Sequence, residues 1–344
     1  MTVPADGRTR TDLVTFGETM ALLANPVAGP LRHAAALDVS VGGAESNAAI
    51  GLRRLGATAA WTGRVGDDEL GRLVLARLRG EGLDVTAATV DPDAPTGLMI
   101  KEQRTAWSTR VTYYRAGSAG SRLRPAHLDE ALLAGARLVH VTGITPALSA
   151  SARDATFAAV DVARDAGVPV SVDLNYRAAL WPVDEAAPVL RDLVARADLV
   201  FAGEGEAAMV LDAGDRAGPG AWAGDRAGPG AWAGDPASLA AGLAGMGPRH
   251  AVVKRGPRGA VAVVDGEAVQ ADAVEVTVVD PVGAGDAFVA GYLRGVLDGE
   301  GARGCLRLAA LVGAFAVTVR GDWEGLPERH ELALLADDSD DVTR

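Results

Sequence analysis

Cysteine occurs once, at Cys305, which excludes an internal disulfide and any Cys-x-x-Cys zinc or redox motif. Its surroundings, Cys305-Leu306-Arg307-Leu308, suit a small core residue. Lysine occurs only at Lys101, after Ile100, and Lys254, after Val253, so there is no Gly-Lys pair for a Walker A loop. Basic residues are outnumbered 33 to 45, for a net charge of −12, which argues against a nucleic-acid or anionic-membrane surface. The charge-free apolar run Leu308 to Val319 is too short to cross a bilayer and suits a buried helix. Met1 to Asp12 is polar and has no apolar h-region. These absences predict a soluble, cytoplasmic protein without nucleic-acid or membrane partners.

What is present suffices for a large core: hydrophobic residues make up 49% of 344, enough for two domains or one large α/β domain with an appendage. Short β-branched runs at Leu13–Gly17, Ala59–Thr62, Leu138–Val141, Pro169–Asp173, Leu199–Phe201 and Ala251–Lys254 read as strands. Between them, helical spacing covers Ala44–Leu55 up to Gly56, Glu69–Arg79 closed by Gly80, and Ser149–Ala166 up to Gly167. The alternation predicts βαβ units and a mostly parallel sheet covered on both faces, with ligands at the carboxyl ends of the strands. One region breaks the rhythm. Thr96–Lys101 and Thr109–Arg115 read as a hairpin that, with Pro30–Val41, makes a small separate sheet suited to covering a ligand or pairing with a second subunit.

Residues 214–223 recur unchanged as 224–233. A tandem pair of Gly/Pro/Ala-rich decapeptides is no solenoid, and 214–233 is expected to be a flexible insertion. The acidic tail 337–344 is expected to be disordered.

The chemistry concentrates at strand ends and helix starts. In Asp280-Pro281-Val282-Gly283-Ala284-Gly285-Asp286, two glycines and an alanine open a helix with Asp286 in its first turn. Backbone N–H groups there bind phosphate oxygens, and a carboxylate beside them is placed to take a proton from an attacking hydroxyl. The same tetrapeptide also suits a tight turn capped by Asp286. A dinucleotide fingerprint is disfavoured, because its third glycine would fall at Phe288. Gly42-Gly43 opens another helix, where Asn47 offers donor and acceptor to a polyol, or where Glu45 or Ser46 merely caps. Asn175 and Arg177 leave a buried strand, as ligand contacts or as solvated residues. Tyr113 and Arg115 share one face of the hairpin, and two arginines converging on one site imply an anionic substrate. Glu204 and Glu206 could hold Mg²⁺ through water or simply charge a first helical turn. Lys254 to Gly259 suits nucleotide phosphate or is a plain turn.

Taken in order, Gly42-Gly43-Ala44-Glu45-x-Asn47, Tyr113-Tyr114-Arg115, Asp173-x-Asn175-x-Arg177 and Asp280-x-x-Gly283-Ala284-Gly285-Asp286 resemble the ribokinase-like (PfkB) carbohydrate kinases. The likeness runs from about Leu13 to Pro327, and within the family it is greatest to the kinases of 2-keto-3-deoxygluconate. The resemblance implies one kinase domain over 1–344, a three-layer α/β/α sandwich with a mostly parallel sheet and a small β-sheet lid from about 20–41 and 92–120. It implies Asp286 as base with the amides of Gly283, Ala284 and Gly285 as anion hole. Gly43, Asn47, Tyr113, Arg115, Arg177 and Asp322 would hold the sugar. Asn175, Lys254, Gly256 and Gly259, with Gly283 and Gly285, would line the ATP site. Glu206 would assist Mg²⁺, Asp280 a monovalent cation such as K⁺, and the lid would pair with a second copy's lid in a homodimer or higher homo-oligomer. Two positions depart from the pattern: Asn-x-x-Glu of many relatives is Gly203-Glu204-Gly205-Glu206, and an aromatic near Met99 is missing.

The expected reaction is ATP-dependent phosphorylation of 2-dehydro-3-deoxy-D-gluconate at its 6-hydroxyl. A fructokinase or ribokinase acting on a neutral sugar is the alternative, and a non-catalytic sugar-binding regulator on the same fold a further one.

Overall fold

Alternation along buried strands builds the layers. In the computed structural model, which describes residues 10–105, 108–212 and 235–336, β1 (Leu13–Gly17) sends Leu13 into one apolar cluster and Val14 and Phe16 into the other. Successive side chains of a strand point to opposite faces, so a strand apolar throughout must be covered on both. Eight more strands join it: β4 (Ala59–Gly66), β5 (Thr89–Asp91), β8 (Val139–Thr142), β9 (Val170–Asp173), β10 (Leu199–Gly203), β11 (His250–Lys254), β12 (Ala260–Val264) and β13 (Glu267–Ala271). Their order is β13-β12-β11-β10-β9-β8-β1-β4-β5. All pairs are parallel from β11 to β5, and β12 alone is reversed, pairing antiparallel with both β11 and β13.

One face is covered by α3 (Glu130–Ala134), α4 (Ala150–Asp165), α5 (Val183–Arg196), α6 (Glu204–Asp212) and α7 (Pro236–Ala244), which share a cluster with Val139, Val172 and Val200. The other carries α1 (Ala44–Arg54), α2 (Glu69–Gly80), α8 (Ala284–Asp298) and α9 (Ala302–Ala316), packed on Trp61, Phe201 and Val252. Each fully buried Leu or Val in these clusters contributes roughly 1.5–3 kcal/mol. Cys305 is a buried core residue of α9. No helix among the described residues is long and apolar enough to cross a membrane.

A second sheet of order β3-β2-β6-β7 stands apart, made of β2 (Met20–Ala24), β3 (Asp38–Gly42), β6 (Leu98–Thr105) and β7 (Ser108–Tyr114). The expected hairpin is therefore present, its first strand running on to Thr105 while Thr96, Gly97 and Arg115 fall outside it. Of Pro30–Val41 only the end is strand, and β2 was not legible as one. Met99 pairs with Tyr113 and Lys101 with Val111 across β6 and β7, which puts these four side chains on one face.

The helix boundaries differ in one instructive place. Gly80 is the last residue of α2, and the left-handed residue that ends it is Gly82, at φ +79°. Gly56 and Gly167 do terminate their helices in left-handed conformations. The tandem decapeptides and the acidic tail lie outside the described residues.

Candidate active site

The face of the small sheet that carries Met99 and Tyr113 looks across a cleft of about 330 Å³ at the carboxyl ends of β9 and β11 and the start of α8. The cleft brings together Gly43, Asn47, Tyr113, Arg115, Asn175, Arg177, Lys254, Gly283, Gly285, Asp286 and Asp322, residues drawn from six segments of the chain. Ala284, Gly256, Gly259, Glu206 and Asp280 do not line it.

Gly283 caps α8 in the left-handed conformation, φ +81°. A Cβ there would sit 1.9 Å from the Asp322 carbonyl oxygen, so only glycine fits, for both conformational and steric reasons. The first amides of a helix have no intrahelical partners. That of Ala284 turns back toward the Pro281 carbonyl at 3.4 Å, and Ala284 is the one residue from Pro281 to Asp286 that does not line the cleft. Gly43 caps α1, and a Cβ on it would meet the Glu18 carbonyl at 2.4 Å.

Asp286 is partly buried, and its Oδ2 accepts a hydrogen bond from Asn47 Nδ2 at 2.8 Å. Burial pushes its carboxyl up to about 7, and the Asp173 charge adds to this, against the opposing effects of the Asn47 bond, Arg177 and Lys254. Lys254 Nζ donates to both oxygens of Asp173 at 2.8 Å. Burial works to discharge this ammonium, but the Asp173 and Glu206 carboxylates outweigh it and hold it above the usual lysine range. A Cβ on Gly285 would lie 3.5 Å from Nζ, so a fixed positive charge stands beside the amide end of α8.

The two arginines differ. Arg115 donates from Nε and Nη2 to Glu18 Oε2, at 2.7 and 2.6 Å, and its guanidinium stacks 5.6 Å from the Tyr113 ring centroid. Glu18, buried and also bonded by the Ser118 hydroxyl, therefore occupies one edge of the Arg115 fork. Arg177 Nη1 donates to the Tyr176 carbonyl, at 3.1 Å, and among the described residues it forms no ion pair. Asn175 holds a left-handed φ of +39°, a strained geometry for a non-glycine residue.

Glu206 accepts from the amides of Gly203 at 2.6 Å and Tyr176 at 2.8 Å, so it fixes the turn that carries Asn175. Glu204 is paired with Arg255 and Arg258, which takes up the basic groups of the Lys254–Gly259 loop other than Lys254. Asp280 and Asp322 both hold the Lys101 ammonium, at 2.6 and 2.9 Å.

Three residues were missed or undervalued in the sequence, Glu18 and Glu45 lining the cleft and Lys101 paired with Asp322 beside it. Glu18 follows the first strand, Glu45 reads there only as a cap, and Lys101 looks like an ordinary strand lysine. Glu45 is buried and accepts from the hydroxyls of Thr142 at 2.7 Å and Thr145 at 2.6 Å. Desolvation raises its carboxyl above the usual range, against those bonds. The one sequence signal for Lys101 was the scarcity of lysine itself.

The model of the pfkB family of carbohydrate kinases matches residues 10–329. The chain is 36% identical to a 2-dehydro-3-deoxygluconokinase of Bacillus subtilis, over 94% of each chain. It is 39% identical to a 2-dehydro-3-deoxygluconokinase of Thermoproteus tenax, over 94% of this chain and 93% of that one. A 2-dehydro-3-deoxygalactonokinase of Haloferax volcanii is 34% identical over 95% and 98%. Among solved structures, the 2-dehydro-3-deoxygluconokinase of Thermotoga maritima superposes with a TM-score of 0.83 at 28% identity, covering 95% and 99%. A candidate ribokinase II of E. coli in complex with ATP and Mg²⁺ does so at 0.82 and 25% identity, also covering 95% and 99%.

Proposed function

The chain belongs to the pfkB family of carbohydrate kinases, and we propose that it transfers the terminal phosphoryl group of ATP to the 6-hydroxyl of 2-dehydro-3-deoxy-D-gluconate. The observation that carries this reading is the meeting, in one cleft, of a partly buried carboxylate raised to about 7 with a helix amide end. Phosphoryl transfer asks the protein mainly for positioning and charge stabilisation. Asp286 takes the proton from the hydroxyl as it attacks, and a base poised near the working pH suits that task. The amides of Gly283 and Gly285, with the Lys254 charge alongside, face the oxygens on which negative charge builds.

Arg177, which forms no ion pair among the described residues and lines the cleft, supports a carboxylate on the sugar. Tyr113, Arg115, Asn47, Gly43 and Asp322 would frame its hydroxyls. Asn175 and the loop from Lys254 to Gly259 would line the nucleotide, with Gly256 and Gly259 outside the sugar cleft. When bound, Mg²⁺ neutralises phosphate charge. It takes most ligands from phosphate oxygens and water, so Glu206, whose oxygens accept two backbone amides, would reach it through water. The small sheet would close as a lid and pair with a second copy's.

A neutral sugar is the second reading, and the Glu18–Arg115 pair supports it, since one of the two arginines arrives already neutralised. A coupled ADP-release assay over 2-dehydro-3-deoxygluconate, its galactonate epimer, fructose and ribose separates the two. The proposal expects kcat/KM at least about 10–100-fold higher on a keto acid, the scale of one charge-assisted bond. A preference for fructose or ribose would sink it.

A further inference from the structure

Lys101, on β6, is only 5% exposed, and its ammonium bridges two carboxylates from distant segments. Asp280 opens the loop into α8, while Asp322 follows α9. Asp280 also accepts from the Val282 amide through Oδ1 and the Gly321 amide through Oδ2, both at 3.2 Å, so its carboxylate staples the two segments together. The Asp322 carbonyl abuts Gly283. One ammonium therefore closes a ring of contacts whose far side is the turn that offers amides to the cleft.

The resemblance leads one to expect a monovalent cation at Asp280. The donor set of this chain does not fit one: the Asp280 oxygen that would ligate it has an ammonium at 2.6 Å, and a second cation there would meet like charge in a buried site. Burial opposes the Lys101 charge, but the carboxylates of Asp322 and Asp280 outweigh it and keep the lysine charged.

We propose that Lys101 is the built-in cation of this active site, a positioning residue that holds Asp280 and Asp322, and through them the Gly283 turn, without added K⁺. Its position on the small sheet adds a consequence: the same ion pairs tie the sheet that covers the cleft to the turn beneath it.

The test compares the wild-type protein with Lys101→Met in tetramethylammonium chloride titrated with KCl at constant ionic strength. Thermal unfolding is followed without substrates, and ADP release with ATP, Mg²⁺ and the keto acid. The wild type should hold its Tm within about 1 °C and its kcat within about twofold. Lys101→Met should melt lower, regain roughly 4 °C or more as KCl saturates the vacated position, and recover kcat from about 10–100-fold below wild type. A saturable K⁺ response in the wild type overturns the proposal. So does a Lys101→Met protein that loses nothing, or one whose losses KCl does not touch. If Lys101→Met is insoluble, Lys101→Met/Asp322→Asn, which buries one fewer unpaired carboxylate, serves in the melting arm with the same expected outcome. The kinetic arm rests on the kinase reading, and the melting arm does not. A chain that phosphorylates no sugar would therefore fail the functional proposal while unfolding still decides this one.

Discussion

Asn47 and Asp286 lie 239 positions apart in the chain and meet side chain to side chain, Nδ2 donating to Oδ2 at 2.8 Å. Asn47 is the fourth residue of α1 and Asp286 the third of α8. Two helices on the same face of the sheet thus bring their amino ends together over one cleft. The bond favours the ionised carboxylate and burial the neutral one, and the balance leaves Asp286 near neutrality.

Replacing Asn47 with alanine removes a bond that lowers the Asp286 pKa, so the basic form should appear at higher pH. In the wild type, kcat/KM should rise with pH and level off above about 7. In Asn47→Ala the rising limb should move up by about one pH unit, the worth of one such bond. A limb that stays in place would mean Asp286 is not the group being read.

Asp286→Asn should retain ATP and sugar binding and lose about 10²–10⁴ in kcat. It should also be more stable than the wild type at pH 8. The folded pKa is raised above the unfolded value, so the folded state holds the proton over the window from the ordinary carboxylate value of 3.8 to about 7, and stability falls as pH rises through it. The asparagine escapes that loss, by roughly 2–4 kcal/mol at pH 8 and by little at pH 4. Urea midpoints at the two pH values check the sign.

Gly283→Ala must fit a Cβ 1.9 Å from the Asp322 carbonyl at φ +81°. The left-handed conformation alone costs about 1–2 kcal/mol, and relieving the clash moves the amide end of α8. Activity should drop at least about 100-fold, the scale of losing one oxyanion donor. Near-normal kcat with normal stability would show that the turn has slack.

Arg115 and Arg177 should separate by phenotype. Arg115→Ala leaves Glu18 buried without its partner and should cost about 3–5 kcal/mol of stability, which Glu18→Gln in the same protein should partly restore. Arg177→Ala should unfold near the wild-type midpoint but lose far more kcat/KM on the keto acid than on fructose. Equal losses on both sugars would remove the carboxylate argument.

The strand series from Leu13 to Lys254 was legible because fully buried parallel strands must be apolar on both faces, and that leaves short runs of valine, leucine and alanine between helical periods. Strand β2 was not: Met20-Ala21-Leu22-Leu23-Ala24 has no β-branched residue and no alternation, and it becomes a strand by pairing with Asp38–Gly42 and Leu98–Lys101. Gly80 misled because a glycine at a helix end is a weaker sign than a left-handed one, and Gly82 is the residue whose φ is positive.

At the site, Asp286, Gly283 and Asn47 could be named from the chain because helix amino ends leave local signatures of glycine and short polar residues. Their chemistry depends on spacing of a few residues along one segment, and that spacing survives in the sequence. What each charge faces does not. Whether Arg115 is available to a ligand, whether Lys254 points at phosphate or at Asp173, and whether Asp280 holds an ion or a lysine are settled by partners 97, 81 and 179 positions away. A charge in a protein interior is worth what its nearest opposite charge makes it, and folding alone decides which charges become neighbours.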